Sequence, residues 1–92
     1  MLISWNENKN KTNIIKHKIS FELAQDVFDD PYRLSIQDRI EDDGEERWQT
    51  IGVVDGVVMI LVAHTYTGDD IRIISARKAS RTERRRYEEG IH

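Results

Sequence analysis

The stretch from Arg47 to Arg77 constrains the fold most. Arg47–Val54 reads as a strand, Asp55-Gly56 follows, and Val57–Thr65 returns as a near-continuous apolar run. An Asp-Gly pair between two such runs signals a hairpin, because a type I′ turn needs positive φ at both central residues. A strand apolar at nearly every position suits burial on both faces, and so a central place in its sheet. Thr67-Gly68-Asp69-Asp70 turns the chain again, and Ile71–Arg77 makes the last strand.

The flanking segments supply an edge and helices. Leu2–Trp5 is a short first strand, and Asn6 can cap a helix reaching about His17, with Glu7 and Lys16 placed to suit its dipole. Its apolar residues are only Ile14 and Ile15, so this helix is expected on the surface. Ser20 opens a second helix carrying Phe21, Ala24 and Phe28 at helical spacing. Asp30-Pro31 stops it, since the residue before proline avoids the α region. Leu34 and Ile36 alternate with polar residues as a strand, and Glu41-Asp42-Asp43-Gly44 is an exposed turn. Ser80-Arg81-Thr82-Glu83 is a capping box for a helix to about Glu89, which Gly90 ends. The expected order is β-α-α-β-β-β-β-α, an α+β domain with an antiparallel sheet and helices gathered against it.

With 92 residues and 38% hydrophobic content, the chain is expected to be one domain, 1–92, with a thin core. It has no cysteine, which excludes disulfides and Cys-type zinc sites and suits a reducing compartment. The longest apolar run, Val57–Ala63, is far short of the roughly 20 residues of a membrane span, and no secretory signal follows Met1. A cytoplasmic protein with no membrane partner is expected. The formal net charge of −3 argues by itself against nucleic-acid binding. Its distribution argues otherwise: residues 22–46 hold ten acids against two arginines, whereas residues 72–86 hold seven bases against Glu83 alone. A concentrated basic region binds phosphates even on an acidic protein, because salt screens distant charges.

The run Ile71-Arg72-Ile73-Ile74-Ser75-Ala76-Arg77-Lys78-Ala79, followed by Arg81, Glu83, Arg84 and Tyr87, resembles the BrnT toxin family. Trp5, Asn13, Lys16-His17, Phe21, Ala24, Phe28-Asp29-Asp30-Pro31, Glu45-Glu46-Arg47 and Gly52 fit the same family in order. The resemblance implies a RelE-like ribonuclease fold and metal-independent RNA cleavage that slows translation and growth. It also implies a BrnA-like antitoxin with a DNA-binding ribbon-helix-helix part. Toxin and antitoxin would form a heterotetramer, a toxin dimer bridged by antitoxin, that touches operator DNA only through the antitoxin. No cofactor is implied.

RNA cleavage without a metal needs a base for the 2′-hydroxyl, an acid for the leaving 5′-oxygen, and cations for the charged transition state. Histidine suits either proton role, and arginine the third through its fork of donors. His17, closing the first helix, and His64, following the buried strand, are rival proton-transfer candidates. Each also has a structural reading, which carries the greater weight: His17 interacting with a helix C-terminus, His64 a core or sheet-face residue bonded to backbone. Arg72 lies between isoleucines, and strand parity groups it with Ile74 and Ala76, with Arg77 on the other parity. Arg77 and Arg81 flank a helix start, where cations oppose the dipole and an anion is welcome. Lys16 is a further phosphate ligand. Glu45 and Arg47 share strand parity and make either a base-and-clamp pair or a surface salt bridge. No residue set has metal-ligand spacing, so no metal site is expected. The rival reading of the chain is a catalytically silent module that supports an antitoxin or nucleic-acid complex.

Overall fold

A computed structural model describes residues 1–90. The order along the chain is β1 (Ile3–Trp5), α1 (Glu7–His17), α2 (Phe21–Ala24), a 3-10 segment (Gln25–Asp29), β2 (Leu34–Ile40), β3 (Glu46–Val54), β4 (Val58–Thr67), β5 (Asp70–Lys78) and α3 (Arg81–Glu89). The five strands form one sheet in the order β1-β5-β4-β3-β2. β2, β3, β4 and β5 pair antiparallel, but β1 lies parallel to β5, so the sheet is mixed rather than wholly antiparallel. Two helices and three strands separate β1 from β5, which frees the first strand to enter on the far edge in either sense.

The hairpin at residues 54–58 forms as its sequence requires. Asp55 and Gly56 have φ of 55° and 69°, and the Val57 amide bonds to the Val54 carbonyl. Val57 extends the loop to three residues and stands exposed at its tip. β4 is central, and it is buried on both faces through Ile60, Leu61 and Val62. One face, here the helix face, packs Ile60, Val62, Ile71, Ile73 and Ala76 against Phe21, Ala24, Val27 and Phe28. Each fully buried Ile, Val or Phe side chain contributes about 1.5–3 kcal/mol. On the outer face, a smaller cluster of Ile51, Leu61 and Tyr87 carries α3.

The helices are fixed by polar side chains more than the sequence indicates. Asn6 caps α1 by accepting from the amides of Asn8 and Lys9. The buried residues of α1 are Asn10 and Asn13, while Ile14 and Ile15 are exposed. Asn10 accepts from the Phe21 amide at 2.8 Å and donates to Glu22. Asn13 donates to the Ala76 carbonyl at 2.8 Å and accepts from the Ala76 amide at 3.0 Å, so its amide side chain continues the pairing of β5 where β1 stops. α3 begins with the full capping box of Ser80 and Glu83. Tyr87, its one buried residue, donates to Asp30 at 2.6 Å. Asp30 also accepts from the Val53 amide, tying the end of the 3-10 segment to both β3 and α3. Burial opposes the charge on Asp30, yet the Tyr87 hydroxyl and the amides of Val53 and Tyr32 hold its carboxyl below the usual value.

Gly52 lies where β3 passes under the 3-10 segment. A Cβ at this position would stand 2.9 Å from Val27 Cγ1 and 3.0 Å from the Val27 carbonyl oxygen. Backbone cannot yield as a flexible side chain can, so Gly52→Ala is expected to destabilise the protein by about 1–3 kcal/mol. A lowered urea midpoint at unchanged slope is the expected reading; an unchanged midpoint would show that the 3-10 segment gives way freely.

One irregularity decides which face each basic residue occupies. The β4–β5 register shifts so that Ala63 pairs with Ser75 and His64 with Ile73, leaving Ile74 as a bulge. Strict alternation groups Arg72 with Ile74 and Ala76. The bulge instead returns Ile73 and Ala76 to the helix face and puts Arg72, Ser75 and Arg77 together on the outer face.

Candidate functional site

Residues paired across adjacent strands share a face, so the register maps the outer face directly. Arg72 pairs with Thr65 on one side and with Ser4 on the other. Arg47 precedes Trp48, whose partner His64 belongs to the helix face, so Arg47 points outward beside Thr65. Arg39 pairs with Arg47. One end of the outer face therefore carries Arg39, Arg47, Thr65 and Arg72 in a row across four strands, with neighbouring strands roughly 4.8 Å apart. Gln49, Ala63 and Ser75 form the next row, and Ile51, Leu61 and Arg77 the row beyond, beside α3.

The arginines differ in what neutralises them. Glu41 serves both Arg39, at 2.8 Å, and Arg47, at 3.2 Å. The Arg47 contact is too poorly aligned for a hydrogen bond, so its buried Nε has no hydrogen-bond partner. Arg77 makes a two-pronged pair with Glu83, at 2.7 and 2.8 Å. That guanidinium holds the Glu83 carboxyl down at about 2, against an opposing effect of burial. Arg72 is exposed and pairs with no carboxylate among the described residues. It is the arginine of this face most open to an incoming anion.

Lys16 and His17 lie apart from this row, at the end of α1. They line a groove of about 360 Å³ between α1 and the edge of β5, together with Asn8, Thr12, Ile74 and Ser75. β1 covers β5 only as far as Ile73 and Asn13 takes up the edge again at Ala76, so the groove opens over Ile74 and Ser75 between them. Ser75 belongs to both the groove and the outer face, and Arg72 lies three residues along the strand from it, on the order of 10 Å.

Two sequence expectations are corrected by these positions. His64 is fully buried on the helix face, opposite to Arg72, and faces no cleft. Its Nε2 lies 2.7 Å from Thr50 Oγ1, and Phe28 and Tyr66 meet its ring edge to face. Burial pushes its pKa down to about 4, so it is a neutral core residue near pH 7. Glu45 does not pair with Arg47. It sits exposed just before β3, where its carbonyl accepts from the Glu41 amide, and Glu41 takes the place beside Arg47. Arg81 is exposed in the first turn of α3. Arg39 and Glu41 are members of the cluster that the sequence reading did not single out. The bulge between Gln37 and Arg39 sets their side, and alternation alone does not show it.

The family model for "Ribonuclease toxin, BrnT, of type II toxin-antitoxin system" matches residues 5–83. The chain belongs to the BrnT family. The match runs from β1 into the first turn of α3, so the arginine row and the groove of this BrnT protein both lie within it. The crystal structure of the Brucella abortus ribonuclease toxin, BrnT, is similar, with a TM-score of 0.65 and 31% identity over 88% of this chain and 99% of that one. No curated protein sequence matches significantly. As a BrnT family ribonuclease toxin of a type II system, the chain has an antitoxin as its partner class. Among the described residues, no helix is long and apolar enough to cross a membrane, and no three His, Cys, Asp or Glu side chains gather as a metal site would require.

Proposed function

We propose that this BrnT protein cleaves RNA on its outer sheet face, using its own side chains and no metal ion. The observation that carries the proposal is the row Arg39, Arg47 and Arg72, in which Arg72 has no carboxylate partner among the described residues. Arg72 and Arg77 stabilise the charge that develops on the phosphate, and Arg47 holds an adjacent position. Guanidinium forks fit this task because they donate in pairs to phosphate oxygens. His17, exposed beside Ser75, takes the proton transfers that buried His64 cannot reach. Lys16 and Arg81 contact flanking phosphates.

In this chemistry the 2′-oxygen attacks phosphorus as its proton passes to the base. The bond from phosphorus to the 5′-oxygen then breaks, and that oxygen is protonated as it leaves. The products carry a 2′,3′-cyclic phosphate on one side and a 5′-hydroxyl on the other. End analysis of cleaved RNA tests the mechanism. Cyclic phosphate and 5′-hydroxyl ends are expected; 5′-phosphate ends would mean that water, not the 2′-hydroxyl, is the nucleophile.

The antitoxin is proposed to be BrnA-like and to neutralise the toxin within a heterotetramer. The exposed cations of α3, with Val57 as a nearby apolar anchor, suit an acidic partner segment that covers the basic end.

A further inference from the structure

We propose that the groove between α1 and the edge of β5 is a nucleotide subsite that reads one base of the RNA beside the cleaved phosphate. The inference rests on the ribonuclease reading of the outer face and adds a specificity determinant to it. Three features of the groove fit a nucleotide. Its volume, about 360 Å³, is that of a small-ligand pocket. Its cationic lining residues are Lys9 and Lys16, and no carboxylate lines it, so it favours an anion. Its walls also offer an apolar surface at Ile74 and a side-chain amide at Asn8.

Asn8 is the residue with the capacity to discriminate. The hydroxyl of Thr12 is committed to the Asn8 carbonyl at 3.1 Å, and the amide of Asn13 is committed to Ile19 and Ala76. The Asn8 side chain makes no hydrogen bond among the described residues, so its amide offers both a donor and an acceptor to a base edge. Ile74 points into the groove because it is the bulge residue of β5, freed from strand alternation. Unstacked bases of single-stranded RNA bind in this manner, with one face on a side chain and an edge hydrogen-bonded. Lys16 stands where it can hold the attached phosphate, and Ser75 joins the groove to the face that bears Arg72. An acidic peptide would also meet the lysines. Its backbone could pair with the Asn8 amide as Ala76 does with Asn13, but the groove, at about 360 Å³, has room for one compact group rather than a run of residues.

Amide-resolved NMR titration of the full chain with each of the four nucleoside 5′-monophosphates, beside inorganic phosphate, tests the subsite directly. One nucleotide is expected to bind best and to shift Asn8, Thr12, Ile74 and Ser75, with Asn8→Ala weakening it about tenfold, as the loss of a well-made polar contact does. Asn8 is exposed and alanine favours helix, so the variant is expected to fold. Equal response to inorganic phosphate and to all four nucleotides would overturn the inference, as would no shift in the groove. The same variant also separates the inference from the reading beneath it. If wild type cleaves RNA and Asn8→Ala cleaves at the same sequences, the subsite is refuted while the ribonuclease face stands. If nucleotides bind as expected and RNA is never cleaved, the ribonuclease reading fails and the groove stands as a nucleotide site.

Discussion

Replacing Arg72 with alanine is expected to lower RNA cleavage about 100- to 1000-fold and to leave thermal unfolding unchanged. The magnitude is that of removing one preorganised donor from a charge developing in the transition state. The unchanged stability follows from the environment of Arg72, which is exposed on the outer face without an ion-pair partner among the described residues. Surface substitutions of this kind shift stability by about 0.5 kcal/mol or less. Arg72→Lys should recover only part of the rate, because an ammonium supplies a point charge without the guanidinium fork. Arg77→Ala is a less clean probe, since it also strips Glu83 of its partner at the start of α3. Cleavage assays beside melting curves separate the two effects. An Arg72→Ala protein that cleaves at the wild-type rate would remove this arginine from the mechanism.

Acid should weaken the fold well before the carboxylates titrate, and His64 is the cause. Its pKa is near 6.5 when unfolded and about 4 in the core, because burial penalises the charged ring, with a weaker opposing effect from the Thr65 backbone. Above pH 6.5 the ring is neutral in both states and the fold keeps its full stability. As pH falls from 6.5 towards 4 the unfolded chain binds a proton that the folded chain refuses, so stability drops. The whole difference amounts to roughly 3 kcal/mol, a large part of what a small domain possesses. Glu83 acts in the same direction but lower, between its ordinary 4.5 and about 2. Urea unfolding at pH 7.5 and pH 4.5 is expected to differ by about 2–3 kcal/mol in wild type, and far less in His64→Gln. Equal stability of wild type at the two values would show that the buried ring is not held neutral.

The strands were largely legible because their signals are local. Asp55-Gly56 specifies its own turn, the run after it declares a central strand, and Ser80 with Glu83 caps α3 without help from the rest of the molecule. The site was legible as a set of residue types but not as a geometry. Whether Arg72 and Arg77 share a face depends on a single bulge at Ile74, which shifts parity by one position and leaves no mark in the residue pattern. The docking of α1 was hidden for a related reason. Its isoleucines point to solvent, while Asn10 and Asn13 are buried because backbone groups of Phe21, Ile19 and Ala76 await them. His64 shows the limit most sharply. Its place in the chain, near the turn into the strand of Arg72, fits a catalytic base as well as a core residue. Only the packing of Phe28, Thr50 and Tyr66 around it decides between them.

The most direct test of the central claim is cleavage of RNA by the purified, antitoxin-free protein, in the presence and absence of EDTA, with translating ribosomes supplied in a parallel reaction. A toxin that cleaves RNA with its own outer-face side chains is predicted to cut in at least one of the two reactions and to cut equally well with EDTA in a reaction without ribosomes, or at ribosomes once their magnesium is preserved and only transition metals are chelated. Cleavage abolished by chelation and restored by an added metal would contradict the side-chain mechanism. Folded protein that cuts neither free RNA nor ribosome-bound message would contradict the assignment of the arginine face as a ribonuclease site.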